Sequence, residues 1–307
     1  MSVNIDRIKD NEASFRIDLT RDPANTLDLR YGVFYRGTGE PKRYVAFLNG
    51  RTEWLEKYAY IVDDLGLGDD TALVTWDHRG QGGSGGVRSY VDDYDTYAKD
   101  TQKIIDYVTK GKPYVVLGHS MGGLIALYAA VKGFIRPGAL VLSSPLLGMP
   151  DKPVPTKYAK PVSRVLSVLG LGAVSSGSGN FTNTPFEKNR LTHHAGLYQR
   201  MRDTPYKIPG ATFGWVAATF RALGVCFDPD VLKQYTVPTL VMGGSKEAIV
   251  DGEAFKAWVG VASENAKTDI QLRLIPGARH ELFSEIPEYY DNAMHAARAW
   301  LGRGFKK

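Results

Sequence analysis

Apolar and polar residues alternate along 15–29 and again along 27–35, the period-two pattern of strands with one face on a core. The spacing predicts two antiparallel strands at the edge of a sheet. Beyond a turn-forming stretch at 37–41 the pattern changes. Residues 44–48, 71–76, 114–117, 139–142, 239–242 and 270–275 read as apolar runs. Such runs predict strands buried on both faces, in a central, mostly parallel sheet. Between them, 54–65, 94–110, 121–132, 252–261 and 289–301 repeat their apolar positions at helical spacing. Strand and helix in alternation predict right-handed crossovers and a doubly wound α/β fold with helices on both faces.

One region breaks the alternation. About ninety residues separate the strand ending near Ser144 from the one starting near Thr239, far more than an ordinary connection. The stretch opens with Pro150, Pro153, Pro155 and Pro161 and continues as an apolar helical pattern over 162–171. Small residues at 175–180 form a hinge, and a second helical pattern covers 211–223. The expected division is a core of residues 1–148 and 225–307 and an inserted helical cap, 149–224, over the carboxyl end of the sheet. The apolar helix either shapes an acyl pocket, touches lipid, or packs on the core.

Composition narrows the class. Of 307 residues 43% are hydrophobic and 23% charged, the balance of a globular enzyme. The net charge of +5 is spread without blocks, a mild bias toward anionic surfaces or substrates. No basic tract carries interleaved aromatics, so no nucleic-acid partner is expected. A single cysteine, Cys226, excludes an internal disulfide and a cysteine metal site. No metal or organic cofactor is expected. Residues 1–11 are polar, unlike a secretory signal, and no window nears the roughly 20 apolar residues of a membrane span. A cytoplasmic location is the expectation.

The chemistry centres on Gly118-His119-Ser120-Met121-Gly122. An apolar strand, 114–117, precedes it and an apolar helix follows. A nucleophile on a tight strand-to-helix turn needs neighbours with almost no side chain, which the glycines supply. A serine hydroxyl is a weak nucleophile at neutral pH and needs a base held by a carboxylate. Of six histidines, His78 precedes the elbow, His119 lies inside it, His193 and His194 fall in the insertion, and His295 sits in the last helical pattern. His280 follows the last strand at the carboxyl edge of the sheet, and it is the expected base. The loop after residues 239–242 offers two acids. Glu247 is preferred, and Asp251, which reads as a helix N-cap, is the alternative. An acyl-transfer site also needs two N–H donors for the oxyanion. The backbone amides of Met121 and Arg51 are the candidates, with Gly50 making the turn. The Arg51 side chain is free to point elsewhere, a phosphate contact among its options.

These pieces resemble the α/β-hydrolase superfamily, and within it the monoacylglycerol lipase and bacterial lysophospholipase L2 group. The likeness runs from about residue 30 to the C-terminus and rests on separate motifs. Asp77-His78-Arg79-Gly80-Gln81-Gly82-Gly83-Ser84 is similar to the group's Asp-x-Arg-Gly-x-Gly-x-Ser signature. The elbow matches residue for residue, and Ile275-Pro276-Gly277-Ala278-Arg279-His280 resembles the catalytic-histidine loop. Asn189-Arg190-Leu191-Thr192 and Gly210-Ala211-Thr212 look like cap landmarks. Two positions depart: the usual His-Gly of the oxyanion loop is Asn49-Gly50, and the usual aspartate is Glu247. The resemblance implies two-step acyl transfer on a small ester, with a single-chain lipid ester (lysophospholipid or monoacylglycerol) as the leading substrate. A short-chain carboxylesterase, an aminopeptidase or amidase, and a non-catalytic binding protein on the same fold stay open. So does transient contact of the cap with a membrane surface.

Overall fold

The computed structural model describes residues 16–22, 27–151, 154–177, 184–206 and 208–305. The expected features at 1–11 and Pro153, and the end of the 175–180 hinge, lie outside the described residues.

The two alternating stretches form β1 (Arg16–Asp22) and β2 (Leu27–Phe34), paired antiparallel at the sheet edge. The apolar runs form β3 (Arg43–Leu48), β4 (Thr71–Trp76), β5 (Tyr114–His119), β6 (Leu140–Ser143), β7 (Thr239–Gly244) and β8 (Ile270–Ile275). The sheet order is β1-β2-β4-β3-β5-β6-β7-β8. β2 lies antiparallel to β4, and the strands from β4 onward run parallel. Every residue of β4, β6 and β7 is buried, as a strand covered on both faces requires. β8 departs from the expectation. Gln271 and Arg273 interrupt its apolar residues, and Leu274 is exposed. It ends the sheet, so no neighbour covers its outer side.

Helices cover both faces. α1 (Tyr94–Thr109) and α2 (Met121–Val131) pack on one face, where Tyr94, Tyr97, Leu124 and Leu127 share a core with Val116 and Leu142. α2 is buried at every position because the sheet lies on one side and other helices on the rest, so its sequence shows no polar stripe. Within the insertion lie α3 (Thr156–Leu166), α4 (Ala195–Arg202) and α5 (Phe213–Cys226). α6 (Glu253–Asn265) completes the first face, and α7 (Pro287–Arg303) covers the other with Ala293, Ala297 and Leu301 against Val141 and Leu117. The helix expected at 54–65 is instead a 3₁₀ turn, Leu55–Tyr58, and one helical turn, Ile61–Leu65, stopped by Gly66 at φ +52°. Among the described residues no helix is long and apolar enough to cross a membrane.

The apolar helix of the insertion starts earlier than its pattern implies. Asp151 accepts hydrogen bonds from the Thr156 N–H (2.6 Å) and hydroxyl (2.9 Å), which sets the helix start one turn before Pro161. α3 then widens into a π turn over Ser167–Leu171 that ends at Gly170, φ +80°. Its apolar side chains do not line a pocket: Val165, Val168 and Leu169 are 56%, 81% and 67% exposed. The rest of the insertion is anchored. Buried Glu285 accepts from the His193 N–H (2.9 Å), His193 Nδ1 (2.8 Å) and the Arg279 N–H (3.0 Å). Thr212 caps α5 by accepting from the Trp215 N–H (3.3 Å) and donates to Ser89 O (2.8 Å).

One close approach fixes α2 on the sheet. A Cβ at Gly122 would lie 2.2 Å from Leu48 O and 2.3 Å from Asn49 O, both backbone atoms. Gly122→Ala is therefore expected to lower stability by about 3 kcal/mol or more, read as a drop in the denaturant midpoint at unchanged slope.

Candidate active site

β5 delivers Ser120 on a turn with φ +52° and ψ −117°, a conformation that costs a non-glycine residue about 1–3 kcal/mol. The turn is held on both sides. The Ser120 N–H donates to Ser143 O (3.0 Å), and Ser120 O accepts from the N–H groups of Leu124 (3.2 Å) and Leu146 (3.0 Å). A Cβ at Gly118 would lie 2.7 Å from Gly122 O, so both elbow glycines answer to crowding.

The loop after β8 carries His280 and the loop after β7 carries Glu247. His280 Nδ1 donates to Glu247 Oε2 at 2.8 Å. Oε1 of Glu247 accepts from the amides of Ala248 (2.9 Å), Ile249 (2.8 Å) and Val250 (3.2 Å). Burial pushes this carboxyl up, but the His280 charge and these amides outweigh it and hold it below the usual range. Burial pushes His280 down, and Glu247, with Glu281 and Glu53 behind it, outweighs that and holds it above the usual imidazole range. Asp251, the alternative acid, is exposed and accepts from the Glu253 N–H (3.1 Å) at the start of α6.

The loop after β3 is braced by the Asp77–Ser84 segment. Asp77 Oδ1 accepts from the Leu55 N–H (2.8 Å), Gln81 Oε1 from the Thr52 N–H (2.9 Å), and His78 Nε2 meets Asn49 O at 3.1 Å. Burial pushes His78 down to about 4, so its ring is neutral at pH 7 and Nε2 is the donor. Asp77 is fixed in turn by Arg30 (2.9 Å) and the Gly83 N–H (2.7 Å). Arg51, on this loop, and Met121, at the start of α2, both line a pocket with Ser120 and His280.

A second group of charges lay hidden from the sequence. Lys57 Nζ donates to Glu281 Oε2 (2.7 Å) and to Glu53 Oε1, and the Tyr58 hydroxyl reaches Glu53 (2.9 Å) and Glu281 (3.2 Å). Glu53 Oε2 accepts from the Gly50 N–H. His119 Nδ1 faces Ser143 O at 3.1 Å and therefore carries a hydrogen, while Nε2 lies 3.6 Å from Glu281 and 3.9 Å from Glu53. Its ring centroid is 4.9 Å from that of His280. Burial pushes Glu281 up, and Lys57 first among its neighbours pulls it well below the usual carboxylate range. The i, i+4 spacing of Glu53 and Lys57 was the one readable sign of this cluster. Among the described residues only Glu53, His119 and Glu281 have the types and spacing for a metal ion, and Lys57 already supplies the positive charge there.

The pocket encloses about 930 Å³, mouth included. Its lining includes the apolar side chains of Leu146, Met149, Leu191, Met201, Trp215 and Ile249. Glu53, Lys57, His119 and Glu281 add charged and polar groups to the lining that Ser120 and His280 share. Leu191, Met201 and Trp215 come from the insertion, which therefore contributes to the lining of the pocket that holds Ser120. The apolar lining comes from α4, α5, Leu191 and the loops after β6 and β7, and not from the apolar helix at 162–171.

The chain matches the family described as serine aminopeptidase, S33, over residues 39–287. Human monoglyceride lipase is 30% identical over 283 residues, 88% of this chain and 86% of that protein. The probable lysophospholipase L2 of Haemophilus influenzae is 28% identical over 289 residues, 90% of this chain and 88% of that protein. The structure of a soluble variant of monoglyceride lipase from Saccharomyces cerevisiae, in complex with a substrate analogue, has a TM-score of 0.73 at 20% identity, covering 94% of this chain and 97% of that one. With the nucleophile-elbow sheet in place and a family match over most of its length, the chain belongs to the serine aminopeptidase S33 family of α/β-hydrolases.

Proposed function

We propose that the chain hydrolyses single-chain lipid esters by acyl transfer through Ser120, His280 and Glu247. The observation that carries this is the His280–Glu247 hydrogen bond in a pocket that His280 lines together with Ser120 and with both apolar and charged side chains. The apolar side chains suit an acyl chain and the charged ones a polar alcohol, and the names of the two relatives support the same class. His280 takes the Ser120 proton as Oγ attacks the ester carbonyl. The amides of Arg51 and Met121 hold the oxyanion, and Glu247 stabilises the imidazolium. The alcohol leaves with the proton from His280, and water, activated by the same imidazole, releases the acid. An aminopeptidase needs an unpaired carboxylate for the substrate's ammonium. Glu53 and Glu281, the pocket's two candidates, are both tied to Lys57. Residues 149–224 act as the cap over this site.

The outer face of α3 is assigned to a membrane surface. Its exposed Val162, Val165, Val168 and Leu169 lie among Lys157, Lys160 and Arg164, an apolar stripe edged by cations that complements an anionic bilayer. Co-sedimentation with phosphatidylglycerol vesicles should drop several-fold when Val168 and Leu169 become Ser, with little change for phosphatidylcholine vesicles.

Ser120→Ala should reduce turnover of a p-nitrophenyl ester by about 10⁴-fold or more, and Glu247→Gln by about 10³-fold. Undiminished turnover by the serine variant refutes the assignment.

The charged cluster predicts opposite pH effects. The base works when neutral, so activity falls as pH drops through the raised His280 pKa. Lys57, Glu53, Tyr58, His119 and Glu247 are the other titratable groups facing the His280–Glu281 pair. Glu281→Gln removes a negative charge near His280, and the acid limb of kcat/KM should move to lower pH. Lys57→Met removes a positive charge, and the limb should move to higher pH. A packing role alone would lower Tm in both variants without separating the limbs.

A further inference from the structure

Enclosed charges around the pocket have counter-charges. Lys57 meets Glu53 and Glu281, Glu247 meets His280, Asp77 meets Arg30, and Asp100 meets Arg79. Arg51 stands apart from them. Its Nη1 is enclosed with no hydrogen-bond partner among the described residues. Burial pulls the guanidinium down to about 10, and the groups that act on it next are Tyr97 and Tyr94. Burial raises both phenols, so they are neutral at pH 7, and the guanidinium is charged with no carboxylate acting on it. It lies over the Trp215 ring, 5.6 Å from the guanidinium carbon to the centroid.

Neighbouring donors are unspent as well. Trp215 Nε1 and the Tyr97 hydroxyl are enclosed without partners among the described residues. Gln81, whose Oε1 holds the Thr52 N–H, has an Nε2 without a partner among the described residues. Arg51 itself is partly buried, with Nη1 enclosed, and an enclosed polar atom without a partner calls for one that the described residues do not supply. Arg51 and Trp215 both line the pocket that holds Ser120.

We infer that the counter-charge of Arg51 arrives with the substrate: the pocket takes an ester bearing a phosphate or carboxylate, and the Arg51 side chain is its subsite. This rests on the ester-hydrolase reading and narrows it from lipid esters at large to anionic ones. A planar guanidinium offers paired N–H groups that match either anion, which a lysine would not. The Arg51 backbone amide keeps its separate role at the oxyanion.

Binding without turnover tests the subsite. Dodecyl phosphate, dodecanoate and dodecanol are titrated by calorimetry into Ser120→Ala protein, alone and combined with Arg51→Met or Arg51→Lys. Arg51→Met should weaken an anion about tenfold or more relative to dodecanol, and Arg51→Lys less. Tm should hold or rise in Arg51→Met, because a partly buried charge with no counter-charge is gone. Kinetics on the Ser120 protein then locate the anion. The kcat/KM ratio of a 1-acylglycerol 3-phosphate to the matching 1-monoacylglycerol reports a phosphate on the alcohol, and that of a dicarboxylic monomethyl ester to the plain methyl ester reports a carboxylate on the acyl chain. A fall in either ratio on Arg51→Met supports the proposal. Anion affinity unchanged relative to dodecanol overturns it, and so does a loss of Tm with equal weakening of all three ligands, the signature of a structural arginine. If the wild-type protein cleaves none of the esters, the ester reading fails, while the calorimetry still decides the anion subsite.

Discussion

The contact between Gly122 and the carbonyl oxygens of Leu48 and Asn49 governs the site. It brings the start of α2 against the end of β3 more closely than any side chain at residue 122 would permit. Ser120 is thereby set beside the loop that carries Gly50 and Arg51. Because both partners are backbone, the distance between the Ser120 turn and the loop does not depend on a rotamer. The loop needs its own restraint, since a fixed elbow facing a mobile loop would align nothing. Asp77, His78 and Gln81 supply it, each spending one polar atom on a different point between Asn49 and Leu55. The Asp77–Ser84 motif is thus scaffolding for the loop after β3, and none of its residues lines the pocket.

Charge is placed with the same economy. Two carboxylates, Glu53 and Glu281, share one ammonium and one phenol, and the cluster ties the β3 loop to the residue after His280. Buried ion clusters add little net stability, and their common benefit is a fixed arrangement. Here that arrangement spans more than two hundred residues of chain, from Lys57 to Glu281. With one cation between two carboxylates, the cluster leaves surplus negative charge near His280. Glu247 and the cluster therefore both favour the charged form of the His280 ring.

Local pattern carried most of the fold. Alternation at 15–35 placed the antiparallel edge, and apolar runs placed the parallel strands, because both patterns report burial one residue at a time. The exceptions have physical causes. β8 is an edge strand, and its Gln271 and Arg273 record one open face. At 54–65 apolar spacing was helical, yet the segment kinks to deliver Glu53, Lys57 and Tyr58 to the cluster. At 162–171 the apolar pattern left pocket, lipid and core packing open, because periodicity does not say what covers a face, and Val165, Val168 and Leu169 stand exposed outside the pocket lining. Ser120, Glu247 and His280 were legible as candidates because each follows a strand and the fold orders them along the chain. Glu281 was not, since an acid next to a histidine has no periodic signature and its partner Lys57 is close only through tertiary structure.

The insertion joins this network at the same residue. The Glu281 N–H donates to Leu191 O at 2.9 Å, and Arg279 reaches Thr192 O at 2.9 Å, so the segment over the pocket hangs on the loop that carries His280. Glu285 reinforces the joint from within by holding His193 and the Arg279 amide together. Leu191 is also part of the pocket's apolar lining. A chain of hydrogen bonds therefore runs from Leu191 to Glu281, from there to Lys57 and Glu53, and onward to the Gly50 amide. One hydrogen-bonded network thus joins the insertion's part of the pocket lining to the loop that carries His280 and the loop that carries Gly50 and Arg51.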